Sequence, residues 1–524
     1  MPALASRRYA VLATACLAAF VINVDTTIVN VALPHLARDL GASTRDLQWV
    51  VDGYNLAFAA LVLTAGSLGD RLGRRPALAL GLLGFAVTSA VGALVTSVGA
   101  LIAARFAMGV SAALIFPTTL AVISHAFPDR RERARAIGIW GAVTGLGVAV
   151  GPVTGGVLLE HWAWPSVFWA LVPAALVALA ATLLVVPESR DPQHARLDPP
   201  GLVLSTAAIS LLVFTIIEAP EVGWGTARTL ASFAVVAVLV AAFVAVERRR
   251  EHPMIDVTLF RNPAFSAASG SVTVAFFALF GFVFLVSQFF QFIRGYDALS
   301  TGVRMLPVAA TIALGSVGGV LLATRLGSRA VVMTGLTLLG TAFAWVASVP
   351  GDVAYGVIVG QMVLLGLGLG MTTAPATESI LSVLPAAKTG IGSAVNDATR
   401  EAGGTLGVAV LGSVFTSLYA DRLAGTAFGD LPAAARENAQ DSVAGALALA
   451  ARAGEQAPVL AAAVDASFMS AFHVACVVGA GVCWLGVAGA AFLPGRRATR
   501  AALARTVTVE GDATHESLRE ATIR

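Results

Sequence analysis

The sequence has 524 residues, of which 57% are hydrophobic and 12% are charged, and its mean hydropathy is +0.82. Soluble globular proteins carry about 25% charged residues, so this composition excludes an ordinary soluble enzyme, and the aliphatic content excludes a disordered chain. The composition is typical of a membrane protein with many spans. The net charge of +3 gives no reason to expect a nucleic-acid partner.

Apolar runs of about 20 residues, the length that crosses a bilayer, predict fourteen helical spans. They lie near 9–33, 47–68, 76–96, 98–123, 134–158, 164–186, 201–218, 227–246, 265–292, 302–323, 329–349, 353–376, 402–419 and 467–493. The first run is too long for the apolar core of a cleavable signal peptide. A long connection near 420–466 could form an amphipathic external helix, to which we assign no function.

Basic residues are distributed unevenly over the connections. With a cytoplasmic N-terminus, 25 of the 34 Lys and Arg residues fall on the cytoplasmic side and 8 on the opposite side. The positive-inside rule therefore predicts a multi-pass protein of the cytoplasmic membrane with both termini in the cytoplasm.

A short sequence repeat relates the N-terminal and C-terminal halves of the chain. Residues 71–75 (Arg-Leu-Gly-Arg-Arg) recur as residues 325–329 (Arg-Leu-Gly-Ser-Arg), between spans two and three and between spans ten and eleven. This placement predicts two parallel six-helix halves, a known transporter plan, with two extra helices inserted between them. The predicted units are 1–186, 187–264 for the inserted helices, 265–493, and a cytoplasmic tail at 494–524.

The first copy of this repeat belongs to a longer motif over residues 66–76. Its glycines allow two helix ends to approach closely, and an acid in it can pair with arginines or cap a helix. A basic loop that only maintained topology would not need this glycine spacing. The motif resembles the G-x-L-x-D-R-x-G-R-R signature of the major facilitator superfamily, which implies an all-α membrane fold and a role in the conformational switch for Gly66, Asp70, Arg71, Gly73, Arg74 and Arg75.

Three further motifs resemble those of the fourteen-spanner drug:proton antiporters within that superfamily. Residues 25–34 (Asp-Thr-Thr-Ile-Val-Asn-Val-Ala-Leu-Pro) are similar to the first-span motif, and residues 105–109 are similar to the fourth-span R-x-x-Q-G motif, with Met108 in place of Gln. The fifth span matches G-x-x-x-G-P-x-x-G-G through Gly147, Gly151, Pro152, Gly155 and Gly156. The resemblance implies that this glycine face seals the two halves, although a simple helix–helix contact is compatible with it.

The resemblance implies proton-coupled export of lipophilic or cationic drugs by alternating access. The alternative on the same fold is a dedicated exporter of an endogenous metabolite, such as a self-made antibiotic or an amino acid. The expected partners are a small-molecule substrate, protons and the lipid bilayer, and a monomer is expected. The sequence carries no metalloprotease, serine-hydrolase or P-loop motif, so we expect neither an enzyme nor a cofactor or metal.

Asp25 and Arg105 fall inside predicted spans, where a charge is costly and indicates function. Asp25 and Arg105 lie about 12 and 10 Å from the predicted outer ends of spans one and four, at 1.5 Å per residue. Pairing would reduce the cost of burying each. We expect Asp25 to carry the proton and Arg105 to tune it; the alternative is a fixed ion pair that never titrates. Asp25 points away from a polar face with Asn23 and Asn30, and either face could line the cavity.

Further polar residues give weaker indications. Asp52 shares a helical stripe with Gln48 and Asn55, which makes it the second candidate for proton coupling. Asp397, Arg400 and Glu401 are expected to open span thirteen, where the helix dipole favours acids in the first turn, although a substrate entrance is an alternative. Glu218 is expected at the membrane interface.

Within span nine, residues 276–292 carry eight phenylalanines, and an aromatic wall can hold a flat lipophilic cation. The predicted cavity residues are Phe280, Phe284, Gln288 and Gln291. The alternative is that about half of the phenylalanines face lipid. Span ten lacks the acid found in some relatives that export dications.

Overall fold

The computed structural model describes residues 2–189, 198–250, 256–382, 389–493 and 495. Over these ranges the chain is helical and contains no strand. The helices are α1 (Pro2–Leu40), α2 (Thr44–Leu72), α3 (Arg74–Leu94), α4 (Val98–Ala126), α5 (Arg130–His161), α6 (Pro165–Trp169), α7 (Leu171–Val185), α8 (Pro199–Val222), α9 (Ala227–Glu247), α10 (Pro263–Gln288), α11 (Ala298–Leu326), α12 (Ser328–Val346), α13 (Tyr355–Ser382), α14 (Thr389–Ala424), α15 (Ala433–Asp441), α16 (Val443–Arg452) and α17 (Ala457–Ala490). Short 3₁₀ segments lie at Val257–Arg261, Ala427–Asp430 and Gly454–Gln456, and a π-helical turn at Phe289–Ile293 continues α10.

Within the described residues, thirteen helical segments are long and apolar enough to cross a membrane. One of them joins α6 and α7, which are separated at Ala170. The helix α2 is not among the thirteen, but its 29 residues are long enough to span, and it packs along α4 and α14. With α2 added, and with α6 and α7 counted as one span, the described residues contain fourteen spanning segments, the number predicted from the apolar runs.

The same helix pairings occur in the N-terminal and in the C-terminal part of the chain. In the first group, α1–α7, the extensive contacts are α2 with α4, α1 with α5, α3 with α4 and α3 with α7. In the second group, α10–α14 with α17, they are α11 with α13, α10 with α14, α12 with α13 and α12 with α17. These are the same pairings in the same chain order, as expected for parallel halves. The fold prediction is therefore confirmed.

The repeated sequence motif has a repeated conformation. Gly73 alone separates α2 from α3, and Gly327 alone separates α11 from α12. Their φ values are +102° and +86°, which only glycine adopts readily. The N–H of Gly73 donates to the Gly69 carbonyl, and that of Gly327 donates to the Ala323 carbonyl.

The helices α8 and α9 pack on each other, and α8 also contacts α2 and α14. Arg45 at the start of α2 forms ion pairs with Glu218 and with Glu221 of α8, the latter at 2.6 Å. Glu218, which was expected at the membrane interface, lies near the end of α8 and is an ion-pair partner of Arg45. The predicted unit boundaries stay predictions, and the tail, apart from residue 495, lies outside the described residues.

The long connection contains two short helices, α15 and α16, where one amphipathic helix was predicted. The helix α14 continues to Ala424 before them, and α17 begins at Ala457. The end of the bundle that carries the α1–α2 connection and these two helices is termed the outer end below. The opposite end is the inner end. That the outer end faces outside is a prediction from the arginine distribution.

Candidate functional site

Asp25 and Arg105 form a buried ion pair between α1 and α4. The Arg105 Nη1 atom lies 2.8 Å from both carboxylate oxygens of Asp25, and the exposed fractions of the two side chains are 1% for Arg105 and 0% for Asp25. Arg105 Nε donates to the Val50 carbonyl of α2 at 3.0 Å. The structure thus brings together two residues that the sequence placed at similar depth. Their geometry supplies the counter-charge and hydrogen bonds that a buried ion requires.

Two residues beside this pair were not predicted to be functional neighbours. The Tyr54 ring lies 4.4 Å from the Arg105 guanidinium carbon, a cation–π arrangement. Met108, which replaces the Gln of the related motif, lies with Sδ 3.9 Å from Arg105 Nη1. Met108 and Tyr54 are both fully buried. The aromatic contact could not be found from spacing, because it joins α2 to α4.

The polar face of α1 points toward α5. Thr27 Oγ1 donates to the Val148 carbonyl of α5 at 3.2 Å, and a side chain at Gly147 would meet Asn23 Cβ at 3.0 Å. Asp25, on the other side of α1, faces α4. Both faces are therefore packed within the first group.

The contact between the two groups, formed mainly by α2 with α14 and by α5 with α11, is termed the seam below. Asp52 of α2 is buried at this seam. Its exposed fraction is 0%, and within the described part of the chain neither of its carboxylate oxygens has a hydrogen-bond partner. One turn earlier, Gln48 Nε2 donates toward the Val408 and Ala409 carbonyls and Ser413 Oγ of α14, at 3.3–3.4 Å. One turn later, Leu56 packs in an apolar cluster that includes Ala409.

This stripe of α2 therefore faces α14 of the second group. Asp52 lies between Gln48 and Leu56 on it. Unlike Asp25, it has no ion-pair partner among the described residues, and its neighbours on the stripe, Gln48 and Leu56, pack against α14.

The predicted glycine motif of α5 has two packing faces. Cβ atoms at Gly147, Gly151 and Gly155 would lie within 3.0 Å of α1 atoms, so this face packs closely on α1. The second face contacts α11: a Cβ at Gly156 would lie 2.5 Å from Leu299 Cα, and one at Gly302 would lie 2.2 Å from the Pro152 carbonyl oxygen. The motif thus joins two helices of the first group and also meets the second group at the outer end.

The face of α5 that meets α11 continues toward the inner end without a partner. At 100° per residue, Gly138, Gly141 and Gly145 lie within about 60° of the face that carries Pro152 and Gly156. A Cβ at any of these three glycines would meet nothing within 4 Å among the described residues. The two groups therefore touch at the outer end of α5 and separate toward its inner end.

The conformational-switch residues lie at the inner end, around the α2–α3 connection. Gly66, Asp70 and Arg71 fall in α2, but their side chains lie outside the described part of the chain. Arg74 N donates to the Ser189 carbonyl at 3.0 Å, and Arg75 donates to the Leu183 carbonyl of α7. Arg74 and Arg75 thus bind the C-terminal part of α7 and the residues that follow it, where the first group ends.

The position of Asp397, Arg400 and Glu401 corrects the expectation of first-turn acids. The helix α14 begins at Thr389, so Asp397 lies eight residues, or about 12 Å, inside it. The helix dipole acts within the first turn and does not account for these acids. Arg400 Nη1 lies 3.8 Å from Asp397 Oδ1, and the Arg400 guanidinium carbon lies 4.6 Å from the Phe276 ring centre.

The start of α14 at Thr389 was not predicted, because Gly390, Gly392 and Asn396 interrupt the apolar run that was used to predict the span near 402–419. A polar helical start carries no hydropathy signal. These charges therefore lie inside α14, a helix that also packs on α2 of the first group.

The expectation that about half of the span-nine phenylalanines face lipid is wrong. Six of the eight are buried, and Phe276 and Phe292 are partly buried. Their rings pack against helices of the second group; for example, Phe282 packs on Phe343 and Phe289 on Phe472.

The four predicted cavity residues lie in different surroundings. Phe280 packs beside Gly404 of α14, and Phe284 is fully buried. Gln288 Nε2 donates to the Phe284 carbonyl of its own helix, whereas Gln291 Nε2 donates to the Val31 carbonyl of α1 at 2.9 Å. Gln291 thus joins the two groups at the outer end.

Comparison with known proteins agrees with this architecture. The family model described as Major Facilitator Superfamily matches residues 15–408. The chain is 37% identical over 398 residues to the multidrug resistance protein Stp of Mycobacterium tuberculosis (strain CDC 1551 / Oshkosh), covering 76% of this chain and 74% of that protein. It is 36% identical over 450 residues to the multidrug efflux pump LfrA of Mycolicibacterium smegmatis, covering 85% and 88%.

A third relative, the tetracenomycin C resistance and export protein of Streptomyces glaucescens, is 34% identical over 419 residues, covering 80% of this chain and 78% of that protein. Among solved structures, a bacterial homolog of the human lysosomal transporter Spinster, in an inward-facing and occupied conformation, has a TM-score of 0.64 and 17% identity, covering 91% of this chain and 96% of that chain. At this identity the likeness concerns the fold alone. The family match spans most of the chain and the relatives exceed 30% identity, so the family prediction is confirmed: the chain belongs to the Major Facilitator Superfamily.

Proposed function

We propose that this protein is a proton-coupled antiporter that exports lipophilic or cationic drugs or antibiotics across the cytoplasmic membrane by alternating access. The relatives with multidrug efflux names support the cargo class. The observation that carries the coupling is the buried Asp52 at the seam between the two helix groups, whose carboxylate has no partner among the residues that the structure describes. The protein acts as a transporter and not as an enzyme, works as a monomer, and has both termini in the cytoplasm.

Alternating access is supported by where the groups touch. The contacts from α5 to α11, from Gln48 to α14 and from Gln291 to α1 all lie toward the outer end. Gly138, Gly141 and Gly145 form the face of α5 where an added Cβ would meet nothing within 4 Å among the described residues, here termed the bare face. It lies toward the inner end. The arrangement is therefore inward-open, and export requires that the outer contacts separate while the bare face of α5 closes on α11. The units 1–186 and 265–493 are proposed to move as the two bodies, with 187–264 beside them.

We assign the transported proton to Asp52. An ionised carboxylate without a counter-charge is costly to bury, so the closed seam favours the protonated, neutral form. When α2 separates from α14, Asp52 gains access to outside water and can exchange its proton. A group at the moving seam changes its surroundings with each conformation, which is the requirement for coupling.

Asp25 and Arg105 contribute differently. Both belong to the first group, so their ion pair is preserved when the groups move. We propose that the pair fixes α1 against α4 and, through Arg105 Nε and the Val50 carbonyl, fixes α2. Loss of Asp25 would then weaken coupling by displacing the helix that carries Asp52.

A lipophilic cation requires apolar surface and negative charge. On the inner side of the seam, Glu401 supplies a carboxylate, whereas Asp397 and the Phe276 ring lie beside Arg400, which a bound cation would have to displace. We propose this region of α10 and α14, which extends to the predicted Phe280, as the inner part of the substrate-binding wall, and the predicted Phe284 and Gln288 as its continuation toward the outer end of α10. The glycines and arginines of the inner α2–α3 connection would control closure on that side.

A second candidate is dedicated export of one endogenous antibiotic. It is favoured by the relative named for tetracenomycin C resistance and export. The two candidates share the fold and the coupling and differ in the range of cargo.

The deciding experiment measures substrate-dependent collapse of a pH gradient in energised inverted vesicles, with ethidium and other cations as substrates. Wild type, Asp52→Asn and Asp25→Asn are compared, with Asp46→Asn as the control. Asp46 lies on the same helix but forms the capping box with Ser43. We expect collapse in wild type and in the control, none with Asp52→Asn, and a reduced response with Asp25→Asn. Normal coupling in Asp52→Asn would refute the assignment, and collapse by a single compound would favour the dedicated exporter.

A further inference from the structure

A cavity of about 550 Å³ lies at the outer end, above the seam. Its walls combine Glu160 from the end of α5 with Tyr296 and Asp297 just before α11, while Leu447 and Ala448 of α16 cover one side. Small-molecule sites occupy about 300–1,000 Å³, so this outer cavity has the volume of a drug-sized ligand. Both helix groups and the α15–α16 connection form it.

The floor of the outer cavity is part of the seam. Gln291 lines the cavity and donates to the Val31 carbonyl, and Ala298, another lining residue, lies against Gly156. A substrate that leaves between the groups at the outer end passes this floor and enters the outer cavity. The cavity is therefore the next compartment on the exit path.

The lining chemistry suits a lipophilic cation. Glu160 is exposed and has no hydrogen bond or ion pair among the described residues. Asp297 caps α11 with one oxygen, which accepts from Ser300 N at 2.6 Å, so its other oxygen is available. The cation in the lining is Arg38, whose Nε donates to the Pro34 carbonyl, and His35 lies beside it.

Apolar surface completes the site. Leu159 and Phe292 line it together with Leu447. The Tyr296 ring is already covered by Arg304, whose guanidinium carbon lies 4.1 Å from the ring centre, so the aliphatic side chains and Phe292 supply the contact area.

We propose that the outer cavity is a second binding site for the exported lipophilic cation, occupied from outside while the seam is closed. The proposal rests on the proposed function. Because residues of both groups line the cavity, a ligand bound there stabilises the closed outer end and slows the next opening. The site would make export sensitive to the external concentration of its own product.

The test uses the full chain in nanodiscs with one added cysteine, since the three native cysteines are buried. Ala448, the site of the Ala448→Cys variant, lines the cavity; Ala451, the site of the matched Ala451→Cys variant, is also exposed on the same helix but does not line the cavity. The rate of maleimide labelling is measured with tetraphenylphosphonium and with neutral triphenylphosphine oxide. We expect tetraphenylphosphonium to slow labelling several-fold in the Ala448→Cys variant alone, and the neutral compound to protect less.

A charge variant tests the recognition. Glu160→Gln should raise the tetraphenylphosphonium concentration for half-protection roughly threefold, as expected for one exposed charge pair, whereas Glu455→Gln should not change it. Equal protection in both cysteine variants, or none, would overturn the site, and no effect of Glu160→Gln would overturn the cation recognition. Coupling measured with the same purified variants in sealed proteoliposomes separates the two hypotheses: protection without drug-driven proton flux contradicts the proposed function alone, and flux without protection contradicts this site alone.

Discussion

Arg105 Nη1 lies 2.8 Å from both carboxylate oxygens of Asp25, and the two residues belong to the same group of helices. Asp52, one helix away, faces α14 of the other group and has no partner among the described residues. The two acids are therefore mechanically different. A motion of one group against the other leaves the Asp25 pair intact and opens the surroundings of Asp52.

This difference predicts that Asp25→Asn acts mainly on stability. Removing one member of a buried ion pair leaves an uncompensated charge and costs about 3–5 kcal/mol. Asp25→Asn should therefore lower the free energy of unfolding by about that amount. A thiol-reactive dye can follow unfolding in detergent, because all three cysteines are buried in the folded protein.

The control for this prediction is the double variant Asp25→Asn with Arg105→Gln. Replacing both charges by amides removes the unpaired cation, so the double variant should be more stable than Asp25→Asn alone. If the double variant loses the sum of the two single effects, the residues do not interact as the geometry indicates.

The seam between α5 and α11 yields a prediction about conformation. A methyl group at Gly156 would lie 2.5 Å from Leu299 Cα and 2.7 Å from the Ala298 carbonyl oxygen. These backbone atoms cannot rotate away, and overpacking costs about 1–3 kcal/mol. Gly156→Ala should therefore shift the population toward an open outer end. Spin labels at Asp39→Cys and Ala354→Cys, both exposed near that end, should report a longer distance.

Gly141→Ala is the matched control on the same face of α5, where an added Cβ meets nothing within 4 Å among the described residues. It should leave the label distance unchanged or favour the present arrangement. A longer distance with Gly141→Ala, or an unchanged one with Gly156→Ala, would contradict the inward-open interpretation of the seam.

The sequence predicted the helical bundle because each span is a continuous apolar run whose burial in lipid is independent of its neighbours. It also predicted the pairing of Asp25 with Arg105, since depth along a helix follows from residue counts. Rotation about the helix axis is fixed by contacts with other helices, so the surroundings of Asp52 and the contact from Tyr54 to Arg105 required the structure.

The misplaced start of α14 and the lipid-facing assignment of the phenylalanines have one common cause. Hydropathy reports transfer from water and does not distinguish lipid from protein as the apolar surrounding. A Phe that contacts another helix, such as Phe282 on Phe343, gives the same signal as one that contacts lipid. Polar residues inside a helix, such as Asp397, give the signal of a connection.

The repeated connections predict equal sensitivity at two distant positions. Gly73 (φ +102°, ψ 140°) and Gly327 (φ +86°, ψ 150°) occupy a backbone region that is essentially limited to glycine. Gly73→Ala and Gly327→Ala should each cost about 1–3 kcal/mol of unfolding free energy. The same dye assay measures both. Gly99→Ala, in a helix with open space around the added Cβ, should have no cost; a cost at only one of the two connections would argue against a structural repeat.

The last prediction concerns the departure from the R-x-x-Q-G motif. Met108 Sδ lies 3.9 Å from Arg105 Nη1, and a thioether is a weak acceptor. In Met108→Gln an amide oxygen would replace the sulfur near the guanidinium, and a hydrogen bond to a charged group contributes about 1.5–3 kcal/mol. Part of that gain is offset by burying the amide N–H groups, so we expect a net stabilisation of about 1 kcal/mol. Met108→Leu, which removes the sulfur and adds no acceptor, is the matched control; a loss of stability in Met108→Gln larger than in Met108→Leu would mean that Arg105 is already fully satisfied by Asp25 and the Val50 carbonyl.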